Sequence, residues 1–369
     1  MNSVPRFMYA SSEENAEMLY ATHFFVPDPF LWWEFSGKSS VVLSPLEIDR
    51  GKREAKVNRV YAFEAFLEKG VKPMAVPLIL AVCKKFRFKR IQVSSFFPAG
   101  IVEGVRKAGI RVEVLEGVFF SERRFKSSAE VQKIRRGVEL ATIGLLRGET
   151  VLKEATIRKD RKLFWGNQIL TSERLRGEID AAIVRANGLP ANTIVAGGDQ
   201  ACDPHERGSG PLYANQAIIL DIFPRDPQSG YYGDLTRTFV RGRASEPLRH
   251  LYQTVKEGKA WVMKEMRPGR SGAEMQQALG DRFKKAGYPT QKIKGRWVGF
   301  FHGIGHGLGL EVHESPRFSE TDFKPGEVIT VEPGIYYPGI GGVRLEDVVV
   351  VHSRGIRNLT NLPEVLELF

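Results

Sequence analysis

Acidic side chains interrupt four strongly apolar stretches in the second half of the chain. Asp221 lies in IILDIF, Asp234 in GYYGDLTRTFV, Glu332 in VITVEPGIYY and Glu346 in GGVRLEDVVVV. A carboxylate in a run of valine and isoleucine loses its hydration, which is costly unless a cation or a hydrogen-bond donor replaces the water. Because converging carboxylates also repel one another, four such residues on four predicted strands indicate a shared cationic partner.

Histidines cluster near these carboxylates. The stretch FHGIGHGLGLEVHE contains His302, His306 and His313, and His205 stands in DPHERG. The spacing of His302 and His306 is that of a helical metal-binding pair, but the alternating glycines oppose a helix by about 1 kcal/mol each. The stretch is therefore not the helical zinc motif. Its glycines instead predict a strand that another group approaches closely.

Four carboxylates and one imidazole form a donor set that suits a pair of divalent ions. We expect two divalent metal ions, with Mn²⁺ as the first choice and Co²⁺, Fe²⁺ or Zn²⁺ as alternatives. Two ions about 3.5–4 Å apart can share bridging carboxylates, supply a hydroxide at neutral pH and polarise a carbonyl group. These capabilities predict hydrolysis of an amide bond.

These motifs, in this order, resemble those of the pita-bread metallopeptidases, the M24 family of methionine aminopeptidase, Xaa-Pro aminopeptidase, prolidase and the metal-free creatinase. The matching stretches are GYYGDLTRTF (230–239), HGIGHGLGLEVHE (302–314), TVEPGIY (330–336) and GVRLED (342–347). The resemblance implies an α/β (α+β) protein. A creatinase-type N-terminal domain would span residues 1–124, and a pita-bread catalytic domain residues 125–369.

The resemblance also implies a role for each candidate residue. The metal ligands would be Asp221, Asp234, His306, Glu332 and Glu346. Glu332 would in addition take a proton from the attacking water. The other members of the catalytic set would be His205, His302, His313 and Arg344.

Within that set, His313 would hydrogen-bond the substrate carbonyl and His205 would lie near the scissile nitrogen. His302 and Arg344 resemble the proline-specific branch of the family. The alternative for His302 is a structural hydrogen bond that supports its strand. One departure concerns Asp221, because the segment before Asp234 carries a two-residue insertion relative to the family pattern. Asp226 is therefore the rival candidate for the first aspartate.

The elements that carry these residues follow from periodicity. Apolar residues at helical spacing predict helices over 129–147, 171–186, 245–266 and 271–286. Strands and glycine-rich turns dominate from Ile194 onward, and residues 148–170 are interpreted as an insertion.

In the first 122 residues, predicted strands over 41–46, 90–95 and 110–117 alternate with helical stretches, which indicates βαβ units. Val57, Val60, Phe63 and Phe66 predict a helix over 50–69, with Gly70 ending it.

Composition limits the class of protein. With 369 residues, two or three domains are expected at about 150 residues each. The 42% hydrophobic and 26% charged residues are typical of a globular chain rather than a disordered one. The sequence contains no run of about 20 apolar residues, so no membrane span is expected. The N-terminal residues lack the charged-then-apolar pattern of a secretion signal, so none is expected. The two cysteines exclude a disulfide framework, so a cytoplasmic protein is expected.

The net charge of +11 is partly local, since residues 81–136 hold 14 Lys and Arg against 5 Asp and Glu. A solvated basic face is the simplest interpretation, and nucleic acid is not an expected partner.

The sequence thus favours a dinuclear-metal exopeptidase that removes the residue preceding proline, an Xaa-Pro aminopeptidase acting through a metal-bridging hydroxide. Its partners would be a peptide with proline second and, as a homodimer, a second copy of the chain. The first alternative is a prolidase (Xaa-Pro dipeptidase) or another M24 hydrolase. The second is a non-catalytic pita-bread binding module with a basic surface.

Overall fold

The computed structural model describes residues 4–68, 74–320 and 322–369. The chain divides into two compact units, Met1–Ser121 (unit 1) and Glu122–Phe369 (unit 2). The division predicted after residue 124 lies three residues further along. Both units mix helices and strands, as predicted. None of the described helices combines the length and the apolar character needed to cross a membrane.

Unit 1 is built on one mixed sheet. Its strands are β1 (Arg6–Ala10), β2 (Phe30–Phe35), β3 (Lys38–Leu43), β4 (Arg59–Ala62), β5 (Arg90–Ser94) and β6 (Arg111–Leu115). Its helices are α1 (Ala16–Thr22), α2 (Ile48–Glu54), α3 (Ala75–Phe86) and α4 (Ala99–Lys107). The strand order is β4-β3-β2-β1-β5-β6. Because alternate residues of a strand face opposite sides, Phe7 packs with α3 and α4, whereas Met8 packs with α1.

The described part of the helix predicted over 50–69, residues 50–68, does not form that helix. Helix α2 ends at Glu54, and Val60 lies in β4, where it pairs with Val41 of β3. A 3₁₀ turn follows at Phe63–Ala65. The strand pairing overrides the local helical pattern, since a strand and a turn bury these apolar residues as well as a helix does. Gly70, predicted to end that helix, lies outside the described residues.

Unit 2 begins with a long helix and continues through short strands. Its helices are α5 (Ser128–Glu154), α6 (Ser172–Arg185), α7 (Glu246–Glu265) and α8 (Gly272–Lys285). Its first strands are β7 (Thr156–Ile157), β8 (Leu163–Trp165), β9 (Gln168–Ile169), β10 (Ile194–Gly197), β11 (Ile218–Asp221) and β12 (Thr236–Arg241). The later ones are β13 (Gln291–Ile293), β14 (Arg296–Val298), β15 (His306–Gly307), β16 (Glu314–Arg317), β17 (Val328–Val331), β18 (Gly334–Tyr337), β19 (Gly341–Arg344), β20 (Asp347–His352), β21 (Gly355–Asn358) and β22 (Glu367–Leu368).

Each helix pair of unit 2 covers a sheet. Helices α5 and α6 pack on the sheet β10-β11-β12-β22, and α7 and α8 pack on the sheet β16-β15-β17-β20-β21. The main chain joins the two halves, since the Glu346 amide donates to the Thr236 carbonyl at 3.0 Å. The carboxylate-bearing ends of β11, β12, β17 and β20 therefore lie in one region.

Helix α5 has a capped first turn, and further along it packs closely against a neighbouring loop at a glycine. Ser127 and Glu130 form a reciprocal capping box at its first turn. Further along, Gly137 lies against the backbone of Gly233. A Cβ atom on Gly137 would be 2.4 Å from the Gly233 nitrogen. Because Gly233 precedes Asp234, this crossing sets the position of a candidate ligand.

Candidate metal centre

The predicted ligands lie at the ends of strands rather than within them. Asp221 is the last residue of β11, and Asp234 lies two residues before β12. Glu332 follows β17 directly, and Glu346 occupies the break between β19 and β20. His306 opens the two-residue strand β15. Strand ends free the side chains from the apolar layers, so all five can point into one cavity.

Three of these residues form a tight buried group. Ligand atoms of Asp234, His306 and Glu346 all lie within 4.8 Å of one another. His306 Nε2 is also 3.8 Å from Asp234 Oδ2 and 3.1 Å from Glu332 Oε1. The Thr330 hydroxyl donates to Glu332 Oε1 at 3.2 Å and accepts from the His306 amide at 3.0 Å. Four of the five predicted ligands are therefore held in one cluster.

Asp221 is held differently. Its Oδ2 accepts from Arg344 Nη2 at 2.6 Å. The other side of the guanidinium, Nη1, donates to the Tyr336 hydroxyl at 3.2 Å, and that hydroxyl lies 2.8 Å from His302 Nε2. Burial raises the pKa of Asp221, and the nearby Arg344 opposes this rise. Arg344 thus orients Asp221, and His302, bonded to the same tyrosine hydroxyl, also lines the cavity.

The carboxylate of Asp226, the rival candidate to Asp221, is hydrogen-bonded by a residue of its own turn. Its carboxylate accepts from the Ser229 amide at 3.1 Å and from the Ser229 hydroxyl. It forms a turn between β11 and β12 and does not line the cavity, whereas Asp221 does. The geometry therefore favours Asp221 over Asp226.

Burial shifts the pKa values of the carboxylates in the cluster, and one of their oxygens has no hydrogen-bond partner among the described residues. Burial raises the pKa of Asp234 well above its usual range, and the neighbouring Asp221 raises it further. Burial also raises the pKa of Glu346. Its Oε2 accepts from Thr236 at 2.7 Å, but its Oε1 has no hydrogen-bond partner among the described residues. One carboxylate oxygen of Glu346 lies within 4.8 Å of ligand atoms of Asp234 and His306, and a divalent cation bound there would compensate the buried carboxylates and the unpaired oxygen.

The histidines differ in protonation. Burial alone would lower the pKa of His306, but the hydrogen bond and charge of Glu332 raise it to about 9. For His313, burial and the neighbouring His306 lower the pKa to about 4, and the two rings lie edge to face with centroids 4.3 Å apart. Burial likewise lowers the pKa of His302. His302 and His313 are therefore neutral at pH 7, while His306 holds a proton that a bound cation would replace.

The five predicted ligands and the candidate catalytic histidines line one cavity of about 950 Å³. His205 and His313 line it together with every predicted ligand. It also holds residues that sequence analysis missed, namely Ile194, Phe223, Phe301, Arg317, Ser319 and Glu320. Arg317 is exposed on β16 and forms no ion pair with any described residue. Its only sequence signal is its position four residues after His313.

Comparisons with known proteins show which family this chain is similar to. Residues 132–353 match the sequence profile of metallopeptidase family M24. An Xaa-Pro dipeptidase of Pyrococcus furiosus is 32% identical over 57% of this chain and 60% of its own length. One of Pyrococcus horikoshii is 30% identical over 74% of this chain and 73% of its own length. The aligned segment thus spans less than two thirds of the first of these relatives.

Solved structures extend the likeness to the whole chain. A prolidase from Pyrococcus furiosus superposes with a TM-score of 0.79 at 22% identity, covering 98% of each chain. An X-Pro aminopeptidase from Thermotoga maritima gives a TM-score of 0.83 at 21% identity, covering 99% of this chain and 97% of the other. At such identities the likeness concerns the fold alone. It confirms the predicted two-domain pita-bread architecture.

Proposed function

This chain belongs to metallopeptidase family M24, and from that premise we propose that it is a prolidase, a hydrolase of Xaa-Pro dipeptides. The two Pyrococcus relatives named Xaa-Pro dipeptidase support this choice. They favour the alternative that the sequence offered over its first choice, an Xaa-Pro aminopeptidase. The aminopeptidase remains the second candidate because the Thermotoga maritima protein shares the fold.

The observation that carries the proposal is an arginine side chain, Arg317, in the lining of the cavity that contains the candidate metal ligands. Arg317 lines that cavity without an ion-pair partner among the described residues. A dipeptide places its own carboxylate one residue beyond the scissile bond. A guanidinium suits that carboxylate because it can donate two parallel hydrogen bonds. A longer peptide has an amide at that position and gains less from Arg317.

The residues of the site fit divalent ions. His306 and Glu332, whose ligand atoms lie 3.1 Å apart, would hold one ion and Asp221 a second, and Asp234 and Glu346 would complete the donor sets of both. We propose Mn²⁺ as the first choice, with Co²⁺, Fe²⁺ or Zn²⁺ as alternatives. Bound ions supply an activated water and polarise a carbonyl group.

The chain's own groups then perform the remaining tasks. Glu332, whose carboxylate lies 3.1 Å from His306 Nε2 at the cavity, can accept a proton from the attacking water. Neutral His313 can donate a hydrogen bond to the substrate carbonyl oxygen as it gains negative charge. Arg344 orients Asp221 through an ion pair at 2.6 Å and opposes the rise in its pKa that burial causes. His205, at the cavity wall, can meet the scissile nitrogen.

A non-catalytic binding module is disfavoured on the same observations. Such a module needs no cluster of buried carboxylates, and the unpaired Glu346 Oε1 would only destabilise it. All five predicted ligands are present and line one cavity.

The test is hydrolysis by the Mn²⁺-reconstituted protein of Ala-Pro, Ala-Pro-Ala and Met-Ala-Ser, with Asp234→Asn as the inactive control. A prolidase cleaves only Ala-Pro. Cleavage of Ala-Pro-Ala at a comparable rate would identify an aminopeptidase, and release of Met alone would refute specificity for proline. Replacing Arg317 by alanine is expected to raise the KM for Ala-Pro at least tenfold. The predicted homodimer stays a prediction, which light scattering tests.

A further inference from the structure

His205 reaches the cavity from an irregular loop, residues 203–210, between β10 and β11. Its imidazole is exposed and forms no hydrogen bond with any described residue. The orientation of the ring therefore depends on the backbone that carries it. What fixes this backbone also fixes the histidine relative to the bond to be cleaved.

The Val195 amide donates to the Arg207 carbonyl at 3.0 Å and Gln200 accepts from the Ser209 amide at 3.0 Å, and an arginine outside the cavity adds three further contacts to this backbone and the strand beside it. Arg176, half-buried on helix α6, donates from Nη2 to the Gly208 carbonyl at 2.8 Å and to the Arg207 carbonyl. Its Nε donates to the Thr193 carbonyl at 2.9 Å, next to the start of β10. A single guanidinium thus ties the far side of the His205 loop to the strand beside it.

The near side of the loop is held by the site itself. Arg344 Nη1 donates to the Pro204 carbonyl at 3.3 Å. His205 follows Pro204 directly, so it lies between a contact made by Arg344 and one made by Arg176. The loop also passes very close to β10, since a Cβ on Gly208 would be 1.7 Å from the Val195 carbonyl oxygen. The loop therefore has little freedom to settle elsewhere while both contacts persist.

We propose that Arg176 is a positioning residue of the enzyme, which acts through the 203–210 loop to place His205 at the scissile bond. The proposal rests on the proposed function, because His205 acts on a peptide substrate. The planar guanidinium is required, since its separate donors reach the loop and Thr193 at once. A lysine ammonium at this position would keep the charge but could not span both acceptors in the same geometry.

The helix offers a matched control two residues away. Arg174 is also half-buried on α6 and also donates to main-chain carbonyls, those of Ile169 at 2.6 Å and Trp165 at 3.3 Å. These acceptors belong to the small sheet β7-β8-β9 and not to the His205 loop. Replacing Arg174 by lysine removes a comparable set of hydrogen bonds without touching the loop.

The first experiment measures hydrogen exchange in the Mn²⁺-loaded full-length protein. In Arg176→Lys, the amides of residues 206–210 are expected to exchange at least tenfold faster, whereas Arg174→Lys leaves them unchanged. Equal protection of this segment in both variants would overturn the proposal. This measurement does not depend on turnover, so it still decides whether Arg176 holds the loop if Ala-Pro proves not to be a substrate.

The second experiment separates positioning from general stability by a double-mutant cycle with His205→Ala. Arg176→Lys alone is expected to lower kcat/KM for Ala-Pro by about 10- to 100-fold, the scale of a small misplacement of a reacting group. In the His205→Ala background the same substitution is expected to change kcat/KM less than twofold. An equal loss in both backgrounds would show that Arg176 acts on the enzyme by another route and would overturn the proposal.

Discussion

Two glycines in the middle of helices should respond in opposite ways to the same substitution. A Cβ atom added to Gly177 on α6 would have no heavy atom within 4 Å, so Gly177→Ala gains the helix propensity of alanine, about 1 kcal/mol. A Cβ atom added to Gly137 on α5 would have three backbone atoms within 2.7 Å, the nitrogen of Gly233 and the carbonyl carbon and oxygen of Tyr232. Ordinary contacts need about 3.5 Å or more, so α5 and this loop must separate by about 1 Å.

Overpacking of this kind destabilises by about 1–3 kcal/mol. Because Gly137→Ala gains the same helix propensity, the two variants should differ by the overpacking cost alone, about 1–3 kcal/mol, or roughly 2–12 °C in Tm for a unit of this size. Because Gly233 precedes Asp234, Gly137→Ala should also weaken Mn²⁺ binding, whereas Gly177→Ala should not. Calorimetry with and without Mn²⁺ measures both effects. Equal stabilisation of the two variants, or unchanged Mn²⁺ affinity in Gly137→Ala, would refute the reasoning.

Three further predictions concern charge and metal. Lys259→Met should destabilise by about 3–5 kcal/mol in urea unfolding, because it removes a buried cation that contacts Glu364 at 2.6 Å. Lys256, half-buried and 3.9 Å from the same carboxylate, is the control, and Lys256→Met should cost less than about 1 kcal/mol. Burial would raise the pKa of Glu130, but hydrogen bonds from its cap partner and a tyrosine lower it below 4.5. Its ionised form thus stabilises the fold above pH 4.5 and less as the pH falls, so Glu130→Gln should lower the urea midpoint at pH 7 but not at pH 3. Finally, Mn²⁺ at 100 times its Kd should stabilise the chelator-treated protein by about 2.7 kcal/mol, and Asp234→Asn should abolish this gain.

Local patterns were sufficient to identify the chemistry and many of the elements that carry it. The glycine-histidine stretch and the acidic residues in apolar runs predicted which side chains would share a site. Strand periodicity and short motifs depend only on residues that are close together in the sequence. The helix expected over 50–69 failed for the complementary reason. Its apolar residues fit two local structures, and only the pairing of Val60 with Val41 chose between them.

Contacts between distant parts of the chain required the folded structure. Nothing near Asp221 in sequence shows that Arg344 pairs with it, that Arg317 enters the same cavity, or that Arg176 holds the loop of His205. The contacts of Arg344 and Arg176 join elements far apart in the chain, and Arg317 is placed by the pairing of β16 with β15. All three are set by how helices and sheets pack. The sequence by itself therefore determined the donor atoms of the site, because they follow from residue type and order. The tertiary structure decided how those donors are oriented and what else reaches the substrate, because packing alone brings such residues within hydrogen-bond distance.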